Sequence, residues 1–414
     1  GMSDYSRWQE GGLEQALATR RVVMLTGPRQ CGKTTLARKF VSENVAYRTL
    51  DDVAARQAAE ADPHLFVDYA PEDGTLIIDE IQKVPDLIPA IKKAVDQNNK
   101  AGQFLITGSA NILNLPTVTE SLAGRIGKVR LRPLSQGEIA GASPTFLERA
   151  FAQDFKRPKN RYNRNDLIEM IFRGGFPEAI RLEGKARRNW HIDYVDALIE
   201  HDLNDIANIR QVDVMKDLVR VLAAWSSKFM DVSAIGSVFS SDRRTLSSYI
   251  SALKSFYVVE SAPAWHKTDY DRVGKQDKLF MADTGMMTAL LGWKPSDFAS
   301  DPDKVGKAFE TFAYNELASQ IDAAEDVYHL YQYRDRVKRE IDFIIESGDR
   351  SILAVEVKSG ITVKNSDFKH IEFFRDNLAK KKTVIGIILY AGDEILPFGK
   401  NLWAIPFDCM WIKN

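Results

Sequence analysis

From Arg21 to about Pro133, short apolar runs alternate with amphipathic stretches, as a parallel sheet flanked by helices requires. Strands are expected at 22–25, 47–50, 76–78, 104–106 and 129–131. Between them, Leu87, Ile88, Ile91 and Val95 recur at helical spacing within 85–97. The pattern predicts a doubly wound α/β domain.

Strand signals fade from 136 to about 225, where the chain reads as helical. The basic, proline-containing segment 156–161 interrupts it and is expected to form an exposed loop. After that segment Val195, Leu198, Ile199, Leu203 and Ile206 make one apolar stripe, which plain core packing explains. Residues 231–265 read as a helix, a polar turn at Ser240, Ser241 and Asp242, a second helix through Phe256, and an extended run over 257–260. That is winged-helix spacing, and Arg243, Arg244 and Lys254 are its candidate contacts to a DNA backbone. Small three-helix units also serve as internal packing modules. The last hundred residues give a helix near 305–321, strands near 327–333, 340–345 and 352–357, a helix near 366–379, and a strand at 384–389. These shifts divide the chain into 1–135, 136–225, 226–300 and 301–414, with no internal repeat.

Composition narrows the possibilities. At 414 residues the chain is too long for one ordinary core, and 44% hydrophobic residues suffice to build two or three. A formal charge of −1 argues against a wholly basic nucleic-acid coat but permits local basic patches. The two cysteines, Cys31 and Cys409, suggest neither a disulfide framework nor a cysteine zinc site, which fits a reducing cytoplasm. The apolar stretch around 384–389 is far too short to span a membrane, and no signal segment is expected. Gly1 before Met2 reads as an expression scar.

The strongest chemical signal is Gly27-Pro28-Arg29-Gln30-Cys31-Gly32-Lys33-Thr34-Thr35, a phosphate-binding loop between a strand signal and a helix signal. Gly27 and Gly32 permit a sharp turn that aims backbone N–H groups at a phosphate. Lys33 supplies a charge for the β/γ-phosphates, and the Thr34 hydroxyl is suited to Mg²⁺. Downstream, 75–80 is a buried strand ending in two carboxylates. Asp79 is expected in the magnesium shell, and Glu80 to orient or deprotonate the attacking water. Ser109 and Asn111, at the end of the 104–106 strand, are candidate γ-phosphate sensors, although turn formation alone also explains them. Residues 99–102 lack the aspartate with which GTPases read guanine, so ATP is favoured. The segment 134–138 superficially matches an ABC-transporter signature but follows the Asp-Glu strand instead of preceding it.

With these residues the chain resembles a family of AAA+-like predicted ATPases of bacteria and archaea that carry a C-terminal domain of unknown function. The likeness spans nearly the whole chain. It rests on GPRQCGKTT at 27–35, LIIDEIQ at 76–82, LITGSAN at 105–111 and SLAGRIGKVRLRPLS at 121–135. KLFMADTGM at 278–286, GKAFETFAYNEL at 306–317 and EVKSG at 356–360 extend it. The resemblance implies that Arg125, the arginine of the L-A-G-R segment, is a charge-stabilising finger; a surface salt bridge is its alternative. His201-Asp202 departs from the pattern, which has arginine before the aspartate, and no second-sensor arginine stands out. Assembly as a homo-oligomer is therefore left open.

A second candidate site lies near the C-terminus. The acids of 340–345 and 352–358 sit on otherwise apolar strands, and buried acids need an explanation. A three-residue loop over 348–350 would set Asp342 opposite Glu356, with Lys358 on the same face; an even-length loop would separate them. Asp342, Glu356 and Lys358 then resemble the metal-and-lysine set of PD-(D/E)xK nucleases, with Asp342 and Glu356 as Mg²⁺ ligands and Glu310 matching the accessory acid. Ion pairing in an inactive nuclease-like module is the alternative.

The sequence thus leads to an AAA+-like Mg-ATP hydrolase that drives or gates a helical, winged-helix and nuclease-like C-terminal half, with ATP and DNA as partners. An ATP-regulated nuclease and a nucleotide-switched binding protein with little turnover are the rival readings.

Overall fold

The structure is a computed structural model that describes residues 5–41, 44–109, 120–203, 211–267 and 276–413. The chain forms two compact units, one of Gly1–Pro133 with Ser255–Tyr257, the other of Leu134–Lys254 with Val258–Asn414.

In the first unit, β1 (Val22–Thr26), β2 (Val45–Thr49), β3 (Thr75–Asp79), β4 (Phe104–Gly108) and β5 (Ile126–Arg130) form an all-parallel sheet in the order β2-β3-β4-β1-β5. Every residue of β1 and β4 is buried, which is why both read as continuous apolar runs. The helix Leu87–Asp96 buries Leu87, Ile88, Ile91 and Val95, as their spacing predicts. Leu13, on the helix Gln9–Thr19, packs into a core that includes Val23, Leu25, Ile77 and Leu105.

The two edge strands depart from the expected bounds. β2 begins at Val45, where it pairs with Thr75, and β5 runs over Ile126–Arg130. Edge strands are covered less completely, so β2 is only half-buried and Lys128 of β5 is exposed. Polar residues there blur the apolar run that marks an inner strand.

The second unit contains a helical part, including Arg164–Arg173, Gly184–Ala197, Val212–Trp225 and Thr284–Leu291, and two sheets. β6 (Lys228–Phe229), β7 (Val259–Ala262) and β8 (Lys278–Met281) make an antiparallel sheet in the order β6-β8-β7, accompanied by the helices Val232–Gly236 and Arg243–Ser255. β9 (Tyr328–Arg334), β10 (Glu340–Ser347), β11 (Ile352–Val357), β12 (Val384–Tyr390), β13 (Leu396–Gly399) and β14 (Leu402–Pro406) form a mixed sheet in the order β13-β14-β12-β11-β10-β9. The long helix Pro302–Ala323 meets it through Tyr314, whose ring stacks on Phe280 at 4.3 Å, next to Phe343. The β13–β14 hairpin lies beyond the predicted strands, and Pro397 and Gly399 break the short apolar pattern of β13.

Residues 156–161 form no regular element, yet Arg157 does not belong to a simple exposed loop. Its side chain is only 7% exposed, and Nε and Nη2 donate to the fully buried carboxylate of Asp408 at 3.0 and 2.6 Å. The predicted stripe on Val195, Leu198, Ile199 and Leu203 is buried as core; Ile206 lies outside the described residues. Among the described residues no helix is long and apolar enough to cross a membrane.

Candidate functional site

A parallel sheet delivers all its strand carboxyl ends to one edge, and there β1, β3 and β4 run into Gly27, Glu80 and Ser109. Gly27 has φ +155°, and a Cβ on it would stand 2.1 Å from the Leu131 carbonyl oxygen, so the loop cannot pass there with any other residue. Gly32 and Gln30 also take positive φ, +109° and +61°. Pro28 and Cys31 face inward, Cys31 being part of the core, while Arg29, Gln30 and Thr35 are exposed. Lys33 is buried, and its Nζ donates to the carbonyls of Gly27 at 2.8 Å and Pro28 at 2.7 Å, inside the loop. Sequence reasoning missed Arg7, which braces this loop: Nη1 donates to Cys31 O at 2.8 Å and Nη2 to Arg132 O at 2.6 Å.

Asp79, at the end of β3, is the hub. Thr34 donates to Oδ1 and Oδ2 at 3.1 and 3.3 Å, Thr107 to Oδ1 at 2.6 Å, and both Tyr47 and Thr49 to Oδ2 at 3.1 Å. Four hydroxyls hold one buried carboxylate, and the register explains it. Thr49 is paired with Asp79 across β2 and β3, Tyr47 shares its face two residues back, and β4 supplies Thr107 from the other side. The Tyr47 hydroxyl is pushed up to about 12, first by burial and then by the Asp79 charge. The period-two pair Tyr47 and Thr49 carried the signal for this role.

Glu80 is held in the left-handed region at φ +62°, a strained conformation for a residue with a side chain. Its N–H donates to Thr107 Oγ1 at 3.1 Å, and its carboxylate accepts from Ser109 Oγ at 3.2 Å and from Gln82 Nε2. Burial raises the Glu80 pKa above the usual carboxylate value, against the opposing charge of Lys33. Ser109 is buried beside Glu80, whereas Asn111 lies outside the described residues. The donor set of Thr34 and Asp79, one hydroxyl and one carboxylate with other positions left to phosphate and water, fits Mg²⁺.

Arg125 is elsewhere. It immediately precedes β5, and its carbonyl accepts the N–H of Val22, the first residue of β1, whereas the phosphate loop follows the last. The length of β1, about 13 Å, separates the two ends. The Arg125 side chain pairs with Asp96 through Nε at 2.5 Å. The expected approach of Arg125 to nucleotide is therefore not made within its own subunit.

At the second candidate site, β10 and β11 pair Phe343 with Val355, a register that continues to Asp342 opposite Glu356. Asp342 Oδ2 accepts the Val357 N–H at 2.8 Å. Glu310 joins them from the helix Pro302–Ala323, but the lysine at the cluster is Lys278 of β8. Its Nζ lies 2.9 Å from Glu310 and 3.9 Å from Asp342. Lys358 instead donates to Asp367 at 2.6 Å and to Thr362 O at 2.9 Å, because the strand ends at Val357 and the chain turns away. Burial, and then Asp342, raise the pKa values of Glu310 and Glu356 well above the ordinary range. Burial disfavours a charged Lys278, but Glu310 and Asp342 outweigh it and raise its pKa. The ammonium of Lys278 thus stands among the carboxylates where Asp342 and Glu356 are expected to hold Mg²⁺, and it supplies the neutralising charge in this arrangement. No group of three or more His, Cys, Asp or Glu among the described residues is arranged to hold a metal.

Residues 19–140 match the AAA domain family, residues 164–297 a domain of unknown function (DUF8612), and residues 305–410 another (DUF4143). The chain is 27% identical over 403 residues to an uncharacterized protein of Mycobacterium bovis, covering 96% of this chain and 82% of that one. It is 22% identical to an uncharacterized protein of Haemophilus influenzae, over 90% and 92% of the two chains. The Thermotoga maritima RuvB Holliday junction branch migration motor is similar over 63% of this chain and 90% of its own, with 18% identity and a TM-score of 0.31. The AAA match, over the segment that carries the phosphate loop and the Asp79–Glu80 strand end, supports ATP binding and hydrolysis in general.

Proposed function

We propose that the chain is a Mg²⁺-dependent ATPase that acts on DNA through its second unit. The observation that carries the ATPase reading is the pairing of Asp79, fixed by four hydroxyls, with Glu80, strained and raised in pKa at the same strand end. Lys33 and the N–H groups of 27–35 would hold the phosphates, and Thr34 and Asp79 the Mg²⁺, which neutralises phosphate charge when bound. Glu80 would take a proton from water or orient it, and Gln82 and Ser109 hold the carboxylate in place for that task. Arg125 would serve a neighbouring subunit of a homo-oligomer.

The DNA reading is favoured by Arg243 and Arg244, exposed at the start of the helix Arg243–Ser255. ATP turnover measured with and without single-stranded, duplex and branched DNA tests it, and stimulation by none of them removes DNA from the proposal. The rival, an ATP-regulated nuclease, gains from the register of Asp342 with Glu356 and loses from the ammonium of Lys278 among the acids. Metal-dependent DNA cleavage abolished by Glu356→Ala would favour the rival. Retained nucleotide binding with negligible turnover would favour the nucleotide-switched binding protein.

A further inference from the structure

A cavity of about 590 Å³ opens within the second unit, far larger than one water needs and within the rough 300–1,000 Å³ range of small-molecule sites. Three helices wall it. Phe172 comes from Arg164–Arg173, Arg187, Arg188 and His191 from Gly184–Ala197, and Gly285 from Thr284–Leu291. All of its lining residues fall between Asn165 and Pro295, inside the segment 164–297 that matches one family along its length.

His191 is the anomaly in this wall. It is only 1% exposed, and neither ring nitrogen has a hydrogen-bond partner, although buried polar atoms are rarely left so. A Cβ on Gly285 would stand 2.9 Å from His191 Nε2, so glycine at 285 is what keeps space at that nitrogen. Burial and, next, the charge of Arg187 depress the His191 pKa to about 3, so the ring is neutral at ordinary pH, with one donor and one acceptor to offer. Lys185 and Lys294 join Arg187 and Arg188 in the wall, with Glu169 as an opposing acid. Phe172 and Trp293 give it flat apolar surface, both packed on Phe298. Arg187 is partly buried, and its pKa is lowered first by that burial and then by Arg173, against the opposing charges of Glu183 and Glu169.

We propose that this cavity is a second ligand site, independent of the phosphate loop, for a nucleoside monophosphate. The arginines suit the phosphate, the two aromatic side chains suit a base, and the neutral His191 offers a ring nitrogen, donor or acceptor by tautomer, to a base edge or a ribose hydroxyl. ATP hydrolysis is not required for this binding, so the site stands or falls separately from the ATPase reading.

The test is calorimetric titration of the full chain carrying Lys33→Ala, which weakens the phosphate loop, with AMP, GMP, CMP, UMP and inorganic phosphate. The expected result is saturable binding of at least one nucleotide, tighter than that of phosphate. Arg188→Ala and Trp293→Ala, each checked for unchanged thermal unfolding, should weaken it by about tenfold or more, the loss of one charge-assisted or stacking contact. No saturable binding by any of the four nucleotides overturns the proposal. Binding that both substitutions leave intact, or that phosphate matches in strength, overturns it equally.

Discussion

Thr107 donates its hydroxyl to Asp79 Oδ1 at 2.6 Å and accepts the N–H of Glu80 at 3.1 Å, so one side chain of β4 ties together both carboxylate residues at the end of β3. Thr107→Val keeps the shape and removes both hydrogen bonds. Turnover is expected to fall roughly 10–100-fold, the usual cost of losing a partner that orients a metal-site ligand, while Thr107→Ser recovers most of it. Steady-state ATP hydrolysis with separate measurement of nucleotide affinity checks this. Equal turnover in the valine variant would mean that Thr107 serves folding alone.

Arg125 sits at the far end of its own sheet from the phosphate loop, so under the proposed function it would stabilise transferred charge only from a neighbouring subunit. Arg125→Ala is expected to lower turnover far more than nucleotide affinity, because charge stabilisation grows toward the transition state. Mixing it with Lys33→Ala should restore part of the activity, since one chain then contributes the arginine and the other the intact loop. Two inactive variants that stay inactive when mixed would remove Arg125 from catalysis.

The acid cluster of Glu310, Asp342 and Glu356 depends on Lys278 and not on Lys358. Lys278→Met should destabilise the second unit by about 3–5 kcal/mol, the cost of stripping the partner from a buried charge pair. Lys358→Ala, which breaks a partly exposed pair with Asp367, should cost at most about 1 kcal/mol. Urea denaturation of the two variants compares them directly, and similar losses would contradict the assignment.

Glu316 is buried against the N–H groups of Gln136 and Trp411 Nε1, and burial raises its pKa to about 7; Asp283, buried at the start of the helix Thr284–Leu291, rises for the same reason to about 6. The folded state thus binds more protons than the unfolded one, and stability falls as pH rises from about 4 toward 7. Glu316 alone accounts for on the order of 3 kcal/mol over that span. Glu316→Gln should flatten the slope most between pH 6 and 7, where Asp283 is past its midpoint and Glu316 is still at least half protonated. Thermal unfolding across pH 4–8 measures it, and an unchanged slope in the variant would refute the burial argument.

The inner strands and the phosphate loop were legible because each has a periodicity or spacing that only one local structure satisfies: β1 and β4 as unbroken apolar runs, and Gly27 and Gly32 where the backbone demands positive φ. The Asp342–Glu356 register is the one that a three-residue loop gives, one of the two alternatives that the sequence leaves open. Contacts between elements distant in sequence were not legible. Arg7 reaches the carbonyls of Cys31 and Arg132 from before the first strand, and Lys278 enters the acid cluster from another sheet. Sequence spacing carries face and register but not the strand order that brings such groups together. Lys358 shows the same limit in reverse: period two fixed its face only as far as the strand lasted, and β11 ends one residue earlier at Val357.

The most direct test of the account is single-turnover ATP hydrolysis by Glu80→Gln beside measured nucleotide affinity. Removal of the general base should cut the rate roughly 10²–10⁴-fold with affinity nearly unchanged. Lys33→Ala should lose both. Turnover by Glu80→Gln at the rate of the unaltered chain, or by Lys33→Ala, would contradict the assignment of ATP hydrolysis to this strand edge.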